Sequence, residues 1–251
     1  MNIYVSPTLM GQVKKCPRCV YDPLAFKLKA PRGIMASLPN GMDETIKKYF
    51  DSFRGSLPPE LESLKPWVLH PDQKMINEMR EWNGLKAVHV VETEINGRPV
   101  RHTLTMQGGL DDLLLHPKTG EIAIPDIKTK ANEPPLEYAA LYYQETMEAY
   151  AWLLTKLGHQ VSPSAYLCYW YPLTAQPMGK YQFGTKLLPM TLDINNTTKL
   201  LDQIGMMLPC SHAEVMKKRP DPSPQCELCT FVQERMNLDA EQKEQEEVLH
   251  G

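Results

Sequence analysis

Apolar residues recur at steps of three and four in two segments, and this spacing predicts two helices. The first segment covers residues 40–54, NGMDETIKKYFDSFR, where Asn40 can cap the helix start. The second covers residues 138–157, which contain no Gly or Pro and are followed by Gly158, a residue typical of helix ends. The periodic positions of the second helix are Tyr143, Met147, Tyr150, Leu154 and Leu157.

Alternating and β-branched runs predict the strands between these helices. Residues 87–95, AVHVVETEI, and 98–106, RPVRHTLTM, flank Asn-Gly at 96–97 and indicate a β-hairpin. A second strand-turn-strand is expected over 110–116 and 121–128, joined by Pro-Lys-Thr-Gly. Residues 165–171, AYLCYWY, indicate a buried strand. This order predicts a mixed α/β domain with helices packed on a central sheet.

The composition excludes two classes of protein. With 42% hydrophobic and 23% charged residues, the 251-residue chain is neither an integral membrane protein nor wholly disordered. The first residues, MNIYVSPTLMGQVKK, lack the features of a signal peptide, so we expect a cytoplasmic protein with no membrane partner. We expect one domain over residues 1–235 and a disordered acidic tail over 236–251.

The net charge of −3 is unevenly distributed. The tail contributes −4, so residues 1–235 sum to +1, and residues 1–54 carry nine Lys or Arg against four acids. Such a local excess suits phosphate binding even in an acidic chain, because screening limits the reach of each charge. A solvated helix face is the alternative interpretation.

Carboxylates fall on the second predicted strand pair. Asp111 and Asp112 lie beside a Leu-Leu-Leu run, and Asp126 and Lys128 end the next strand, IAIPDIKTK. Oxygen ligands of this kind suit a hard divalent cation such as Mg²⁺. Residues two apart in a strand point to the same side, so the Lys128 ammonium can orient a water or neutralise phosphate charge. An ordinary surface strand end is the simpler reading of D-x-K alone.

Several motifs together resemble one nuclease group. They are G-x-L-D at 108–111, P-D-I-K-T at 125–129, E-A-Y-A-W-L-L at 148–154, D-x-x-x-K-K-x-F-D-x-x-R at 43–54, and C-x2-C pairs at 16–19 and 226–229. In combination they resemble the PD-(D/E)xK nuclease superfamily, in particular its RecB-like iron-sulfur branch, which includes CRISPR-associated exonucleases and the AddB nuclease domain. The resemblance spans about residues 10–230 and implies a restriction-endonuclease-like core.

The resemblance also implies roles for individual residues. Those expected to hold Mg²⁺ or Mn²⁺ are Asp111, Asp126, the Ile127 carbonyl and Asp43. Lys128 is the implied catalytic lysine, acting with Asp111 and Asp126, and Asp112 is a secondary candidate. The family glutamine on the following helix is replaced by Thr146, with Gln144 the nearest substitute. Tyr150 matches the family tyrosine, and Lys130 is either a DNA-backbone contact or a solvated lysine.

Four of the six cysteines form two chelating pairs. Cys16, Cys19, Cys226 and Cys229 together supply the thiolates for a 4Fe-4S cluster or a tetrahedral zinc ion. The spacing does not choose between these, and the resemblance implies the iron-sulfur cluster. Either centre would join the N- and C-terminal segments. Cys168 is expected to be a buried core residue, and Cys210 is expected to be either a free thiol or a spare ligand.

Three functions follow as hypotheses. The first is a metal-dependent deoxyribonuclease, an exonuclease on single-stranded or frayed DNA ends, with protein partners in a DNA-processing, CRISPR or repair complex. The second is a non-catalytic DNA-binding or assembly module that keeps the nuclease fold. The third is a protein whose terminal segments are joined by a structural zinc ion and which has no nucleic-acid role. Tyr166, Tyr169, Trp170 and Tyr171 either stack nucleobases or belong to the core.

Overall fold

The computed structural model describes residues 2–28, 37–95, 98–209 and 214–250. Its regular elements are β1 (Asn2–Val5), α1 (Pro7–Lys15), α2 (Pro17–Phe26), α3 (Ser37–Asp51), β2 (Val68–Leu69), α4 (Gln73–Arg80), β3 (Leu85–Ile95), β4 (Arg98–Gly108), β5 (Leu114–Leu115), β6 (Ile122–Thr129), α5 (Tyr138–Lys156), β7 (Val161–Gln176), β8 (Lys180–Thr191), α6 (Ile194–Met207) and α7 (Glu227–His250). The predicted mixed α/β architecture is confirmed. None of the described helices has both the length and the apolar character needed to cross a bilayer.

The first sheet contains the predicted hairpin. Strands β3 and β4 pair antiparallel along their whole length, and the predicted turn at 96–97 lies outside the described residues. Strand β1 adds a parallel partner to β4, in register from Asn2 with Thr103 to Val5 with Met106. The sheet order is therefore β1-β4-β3.

The second sheet has the order β2-β5-β6-β7-β8. Strands β6 and β7 run parallel and place Asp126 beside Leu167 and Lys128 beside Tyr169. A parallel pair needs a crossover connection, and α5 supplies it. The strands are thus divided between two sheets, whereas we predicted one central sheet. After β4 ends at Gly108, the backbone of Gly109 packs against the Arg80 and Glu81 carbonyls and leaves no room for a side chain.

Helix α5 lies at the centre of the packing and confirms the second predicted helix. Its core-facing residues include Met147, Trp152 and Leu154, all fully or almost fully buried. Helix α6 packs closely on β3, since a Cβ at Gly205 would lie 2.6 Å from Val91. The two helices thereby cover the first sheet, while α5 also contacts the second.

Three local predictions differ from the structure. Helix α3 begins at Ser37, so Asn40 lies inside it and does not cap it. Asp111 and Asp112 lie in the loop before the two-residue strand β5, because Asp112 turns inward to bind arginines. Helix α7 continues to His250 through the predicted disordered tail, whose Glu, Gln, Lys and Ala residues favour helix and include no Gly or Pro before 251.

Candidate active site and metal centre

Asp111 is fixed by the backbone of β6. The Ile127 amide donates a hydrogen bond to Asp111 Oδ2 at 2.8 Å. The other oxygen, Oδ1, lies 2.7 Å from the Lys47 ammonium on α3. The carboxylate is only 16% exposed. The loop from β4 therefore holds Asp111 directly against the segment that carries Asp126 and Lys128.

Asp126 and Lys128 form a close ion pair on one face of β6, as strand geometry predicts. The Lys128 ammonium also lies 3.3 Å from the Ile127 carbonyl oxygen. Burial raises the pKa of Asp126 to about 7, although the Lys128 charge works in the opposite direction and Asp111 adds to the rise. Burial lowers the pKa of Lys128, but the nearby carboxylates of Asp126 and Asp111 raise it, and the resulting pKa lies above the ordinary value.

Lys47 joins Asp43 to this group and was not among the predicted site residues. Its ammonium lies 2.7 Å from Asp43 Oδ2 and 2.7 Å from Asp111 Oδ1. Burial lowers the pKa of Lys47, but the charges and hydrogen bonds of Asp111 and Asp43 together outweigh it, so the net change is a rise. The four-residue spacing of Asp43 and Lys47 on one helix could have indicated their pairing, but the contact with Asp111 is non-local.

The group around Asp111 and Asp126 is rich in oxygen donors. Two carboxylates and a backbone carbonyl are oxygen ligands of the kind that Mg²⁺ and Mn²⁺ prefer. Lys47 and Lys128 place positive charge on these same oxygens. A cation bound by Asp111 and Asp126 would compete with at least one of the two ammonium groups.

Asp112 belongs to a separate ion-pair network. Its side chain is completely buried and accepts hydrogen bonds from Arg54 at 2.6 and 2.7 Å and from Arg80 at 3.2 Å. Asp51 contacts both arginines from the other side. The Leu113 amide also donates to Asp112 Oδ1 at 2.8 Å. With these partners, Asp112 stabilises the loop that presents Asp111.

The three candidate substrate contacts lie in different surroundings; they are Gln144, Tyr150 and Lys130. Gln144 donates to Glu148 Oε1 and to the Thr191 carbonyl, both at 2.7 Å, and thus links α5 to β8. Tyr150 lines a cavity of about 400 Å³ next to Gly108. Burial raises the pKa of Tyr150, and the charges of Asp126 and Asp111 add to the effect. The Lys130 ammonium lies 4.7 Å from the Tyr138 ring centroid.

The aromatic cluster on β7 belongs mainly to the core. Tyr169 is 1% exposed, while Tyr166 and Trp170 pack against the buried residues around Phe50. The Tyr171 ring covers Gly184 so closely that a Cβ there would lie 2.7 Å from it. Cys168 is buried in the same region, as predicted.

The four predicted cysteines come together. The sulfur atoms of Cys16, Cys19, Cys226 and Cys229 all lie within 4.8 Å of one another and could hold a metal ion. Individual sulfur–sulfur distances are 3.5 Å for Cys19–Cys226, 3.6 Å for Cys19–Cys229 and 3.8 Å for Cys16–Cys229. The cluster joins the α1–α2 junction to the start of α7, as predicted. Cys210 lies outside the described residues.

The surroundings of Cys16 favour a thiolate. Burial raises its pKa, but the hydrogen bond from the Ser223 amide, at 3.4 Å, and those with Cys19 and Cys226 together outweigh burial and lower the pKa to about 7. Burial raises the pKa of Cys229 to about 11. The thiols thus differ in how readily they lose a proton, and a bound cation would have to deprotonate Cys229 on binding.

Other contacts hold the same two segments together. Arg219 makes two hydrogen bonds to Asp22, at 2.8 and 2.6 Å. Arg18 donates to the Pro220 carbonyl at 2.8 Å, and the Tyr21 hydroxyl donates to the Val215 carbonyl at 2.5 Å. The cysteine cluster therefore lies within an interface that also has its own ion pair and hydrogen bonds.

The basic excess of residues 1–54 is largely paired within the fold. Acidic partners lie within 4 Å of Lys14, Arg18, Lys47, Lys48 and Arg54. Lys29 and Arg32 lie outside the described residues. Sequence charge counting therefore overstates the free positive charge of this segment, since five of its nine cations already have a carboxylate neighbour.

The comparisons with known proteins add little. No protein-family model matches the chain, and none of the curated proteins does. Among solved structures, the crystal structure of SSO0001 aligns with a TM-score of 0.38 and 13% identity, covering 83% of this chain and 78% of that one. Similarity at that level carries no argument about fold or function.

Proposed function

We propose that this protein is a metal-dependent deoxyribonuclease with a restriction-endonuclease-like core, acting on single-stranded or frayed DNA ends. One observation carries the proposal. Asp111, from a loop, is hydrogen-bonded to the β6 backbone between Asp126 and Lys128. Two carboxylates, a carbonyl and a lysine are thereby brought close together, and this grouping supports the proposal.

Each protein group has a chemical task in this proposal. Mg²⁺ or Mn²⁺, when bound, would activate a water and neutralise charge on the scissile phosphate. Asp111 and Asp126 would hold the cation, with the Ile127 carbonyl as a further oxygen ligand. The Lys128 ammonium lies against Asp126 and the Ile127 carbonyl, so it is placed to orient water or to offset negative charge on phosphate.

The nearby ionised groups support this assignment. Asp126 is nearly fully buried, and its raised pKa reflects mainly the cost of burying the charged carboxylate, which the Lys128 ammonium offsets only in part. Perturbed ionisation of this kind is common at functional sites. A divalent cation would offset the cost and return Asp126 to its ionised form.

A second candidate function is a DNA-binding module without catalysis. The Lys47 ammonium contacts both Asp43 and Asp111, which favours this alternative because it already neutralises part of the carboxylate charge. The hydrogen bonds that Gln144 donates to Glu148 and to the Thr191 carbonyl also favour this alternative. This alternative predicts salt-sensitive DNA binding without any metal-dependent product.

A cleavage assay separates the two functions. Labelled single- and double-stranded DNA would be incubated with wild type, Lys128→Ala and the exposed-site control Lys65→Ala, with Mg²⁺ or Mn²⁺. We expect cleavage by wild type and Lys65→Ala and a loss of at least about 100-fold for Lys128→Ala. Equal cleavage by all three would refute the role of Lys128. Binding without cleavage by wild type would support the non-catalytic module.

We further propose that the cysteine cluster holds a structural metal centre. A tetrahedron of sulfurs about 2.3 Å from one zinc ion has edges of about 3.8 Å, close to the distances in this cluster. A 4Fe-4S cluster, implied by the motif resemblance, needs the thiolates further apart because four irons lie between them. Zinc therefore fits the present spacing better, and iron-sulfur binding requires the side chains to move outward.

The identity of the metal can be read from anaerobically purified protein. One zinc ion and no iron per chain in metal analysis would support zinc. Iron in the same analysis, together with a brown colour and absorbance at about 400 nm, would establish the cluster. Cys226→Ser should lose the metal in either case, and Cys168→Ser, which alters a buried cysteine elsewhere, should retain it. Full metal content in Cys226→Ser would refute the site.

A further inference from the structure

Two neighbouring tyrosines flanked by two lysines lie between the carboxylate site and the cysteine cluster. We call Lys15, Tyr142, Tyr138 and Lys130 the lysine–tyrosine strip. The Lys130 ammonium lies 4.7 Å from the Tyr138 ring centroid, the two tyrosine rings are 4.5 Å apart, and the Lys15 ammonium lies 5.7 Å from the Tyr142 ring. These distances are within cation–π and aromatic stacking range.

The strip is continuous with the proposed catalytic residues. Tyr138 lies 6.0 Å from Tyr169, measured between ring centroids. Tyr169 is the β7 neighbour of Lys128 in the parallel register. Lys130 follows Lys128 by two residues and is held by a hydrogen bond from its amide to the Trp170 carbonyl. A polymer leaving the carboxylate site therefore meets Lys130 and Tyr138 next.

The far end of the strip reaches the cysteine cluster. Lys15 ends α1 and directly precedes Cys16. Helix α1 is held on α5 by the ion pair between Lys14 and Glu145, at 2.6 Å. The position of Lys15 over Tyr142 thus depends on the same helix junction that carries Cys16.

The Lys15–Tyr142 end of the strip is open to solvent, unlike the aromatic cluster on β7, whereas Tyr138 and Lys130 are half-buried. Tyr142 is 48% exposed and Lys15 is exposed, whereas Tyr169 is buried. Lys14, one residue away, has a carboxylate partner, whereas the Lys15 ammonium lies over an aromatic face. An exposed cation beside an exposed aromatic ring suits a ligand that combines negative charge with flat apolar groups.

We propose that the lysine–tyrosine strip binds single-stranded nucleic acid, with a base stacked on the exposed Tyr142, which Tyr138 supports from behind, and phosphates contacting Lys15 and Lys130. Each base stacked on an aromatic side chain contributes about 1–3 kcal/mol, and every base has a stacking face, so this contact is tolerant of sequence. The inference rests on the proposed nuclease function for its ligand class. It adds the path of the strand, from the β6 carboxylates across the first turns of α5 toward the cysteine cluster.

Binding can be measured without cleavage, which separates this proposal from the proposed nuclease activity. A labelled oligothymidylate would be titrated with the full chain. No divalent cation is added, and the cysteine centre is left intact. Tyr142→Ala should weaken binding by about five- to tenfold, and Tyr142→Phe, which keeps the ring, should bind like wild type. Lys15→Ala should reduce both affinity and its salt dependence.

Matched controls come from a similar pair elsewhere. Lys86 lies 5.7 Å from the ring of Tyr4, the same distance as in the Lys15–Tyr142 pair, and both Tyr4 and Lys86 are exposed. Lys86→Ala and Tyr4→Ala should therefore leave affinity within about twofold of wild type if the strip is specific. Equal losses from both pairs would overturn the proposal in favour of general surface attraction.

An abasic oligonucleotide of the same length completes the test. It should bind wild type and Tyr142→Ala equally, because only base stacking is removed by the substitution. A Tyr142→Ala effect that persists with the abasic strand, or unchanged affinity of all strip variants for oligothymidylate, would overturn the proposal even if cleavage occurs. Competition by polyglutamate as effective as that by DNA would also overturn it and indicate an acidic protein partner.

Discussion

Asp111 and Asp112 are adjacent in the chain and have opposite surroundings. Asp112 is completely buried and bound by Arg54 and Arg80, whose guanidinium groups stay charged and grip a carboxylate through several hydrogen bonds. Asp111 keeps some exposure and is held by the Lys47 ammonium and one backbone amide. Lysine is a compact charge on a flexible stem, so its contact is easier to exchange for a cation than a pair of arginine forks.

This difference indicates how one loop can have a rigid backbone, fixed through Asp112, and a neighbouring carboxylate, Asp111, that is free to exchange its partner. The Asp112 network fixes the loop to α4 and the end of α3 through Arg80, Arg54 and Asp51. Arg80 also donates to the Asp111 carbonyl at 2.8 Å. The loop backbone is therefore anchored on one side, while the Asp111 side chain points to the group that contains Asp126.

The largest expected effect is on stability and concerns Asp112. Asp112→Asn leaves two buried guanidinium groups short of a counter-charge, so the free energy of unfolding should fall by about 3–5 kcal/mol. Asp111→Asn should cost about 1 kcal/mol or less, because Lys47 keeps Asp43 as a partner. Urea unfolding of both variants measures the difference. Equal losses would show that the two carboxylates have similar structural roles.

Activity should reverse that order. Asp111→Asn is expected to remove metal-dependent cleavage almost completely, whereas Asp112→Asn, assayed at a temperature where it remains folded, should keep cleavage within about tenfold of wild type. Initial rates with Mn²⁺ test this. A folded Asp112→Asn protein that is as inactive as Asp111→Asn would contradict the assignment of Asp112 to the ion-pair network.

The ionisation of Asp126 predicts a pH dependence of metal binding. Its folded-state pKa is raised from 3.8 to about 7, so below about pH 7 a cation must displace a proton. Mn²⁺ affinity should therefore fall as the pH is lowered, by at most about tenfold per pH unit. Calorimetric titration at several pH values checks this. Affinity that does not change between about pH 6 and 8 would contradict it.

The same shift has a defined sign for the stability of the metal-free protein. The unfolded carboxyl loses its proton near its ordinary pKa of 3.8, whereas the folded one retains it to about 7. The folded state therefore binds more protons in this window. As the pH rises from about 4 to about 7, Asp126 contributes a progressive loss of stability, which a bound divalent cation should offset.

The smallest expected effect comes from Lys47. Lys47→Met removes the ammonium that contacts Asp43 and Asp111, so divalent-metal affinity should rise by about three- to tenfold. Lys48→Met is the matched control, because Lys48 lies on the same helix and pairs with Glu44 at the same 2.7 Å distance but on an exposed surface. A rise in both variants, or in neither, would refute direct competition between Lys47 and the cation.

Local patterns predicted the elements that local physics determines. The β3–β4 hairpin and α5 have unbroken periodicity bounded by turn or cap residues, and both are confirmed. The cysteine cluster was also predicted, because C-x2-C spacing is itself a chelating geometry. These features depend on residues close together in sequence or on a ligand set that has few other uses.

The rest depends on contacts between distant segments. Nothing near Asp112 in the sequence indicates that Arg54 and Arg80 will enclose it, and the inward turn that results removes residues 110–113 from the predicted strand. The Lys47–Asp111 contact crosses from α3 to a loop, so it was missed although the helix was predicted. The pairing of β1 with β4 is likewise invisible to periodicity.

The cysteine cluster has a consequence for how the protein matures. Cys19 and Cys226 are 207 residues apart, so the second chelating pair leaves the ribosome long after the first. A nascent chain that stops before residue 226 offers only two of the four thiolates. A metal ion held by all four thiolates would therefore bind only after translation has passed residue 229.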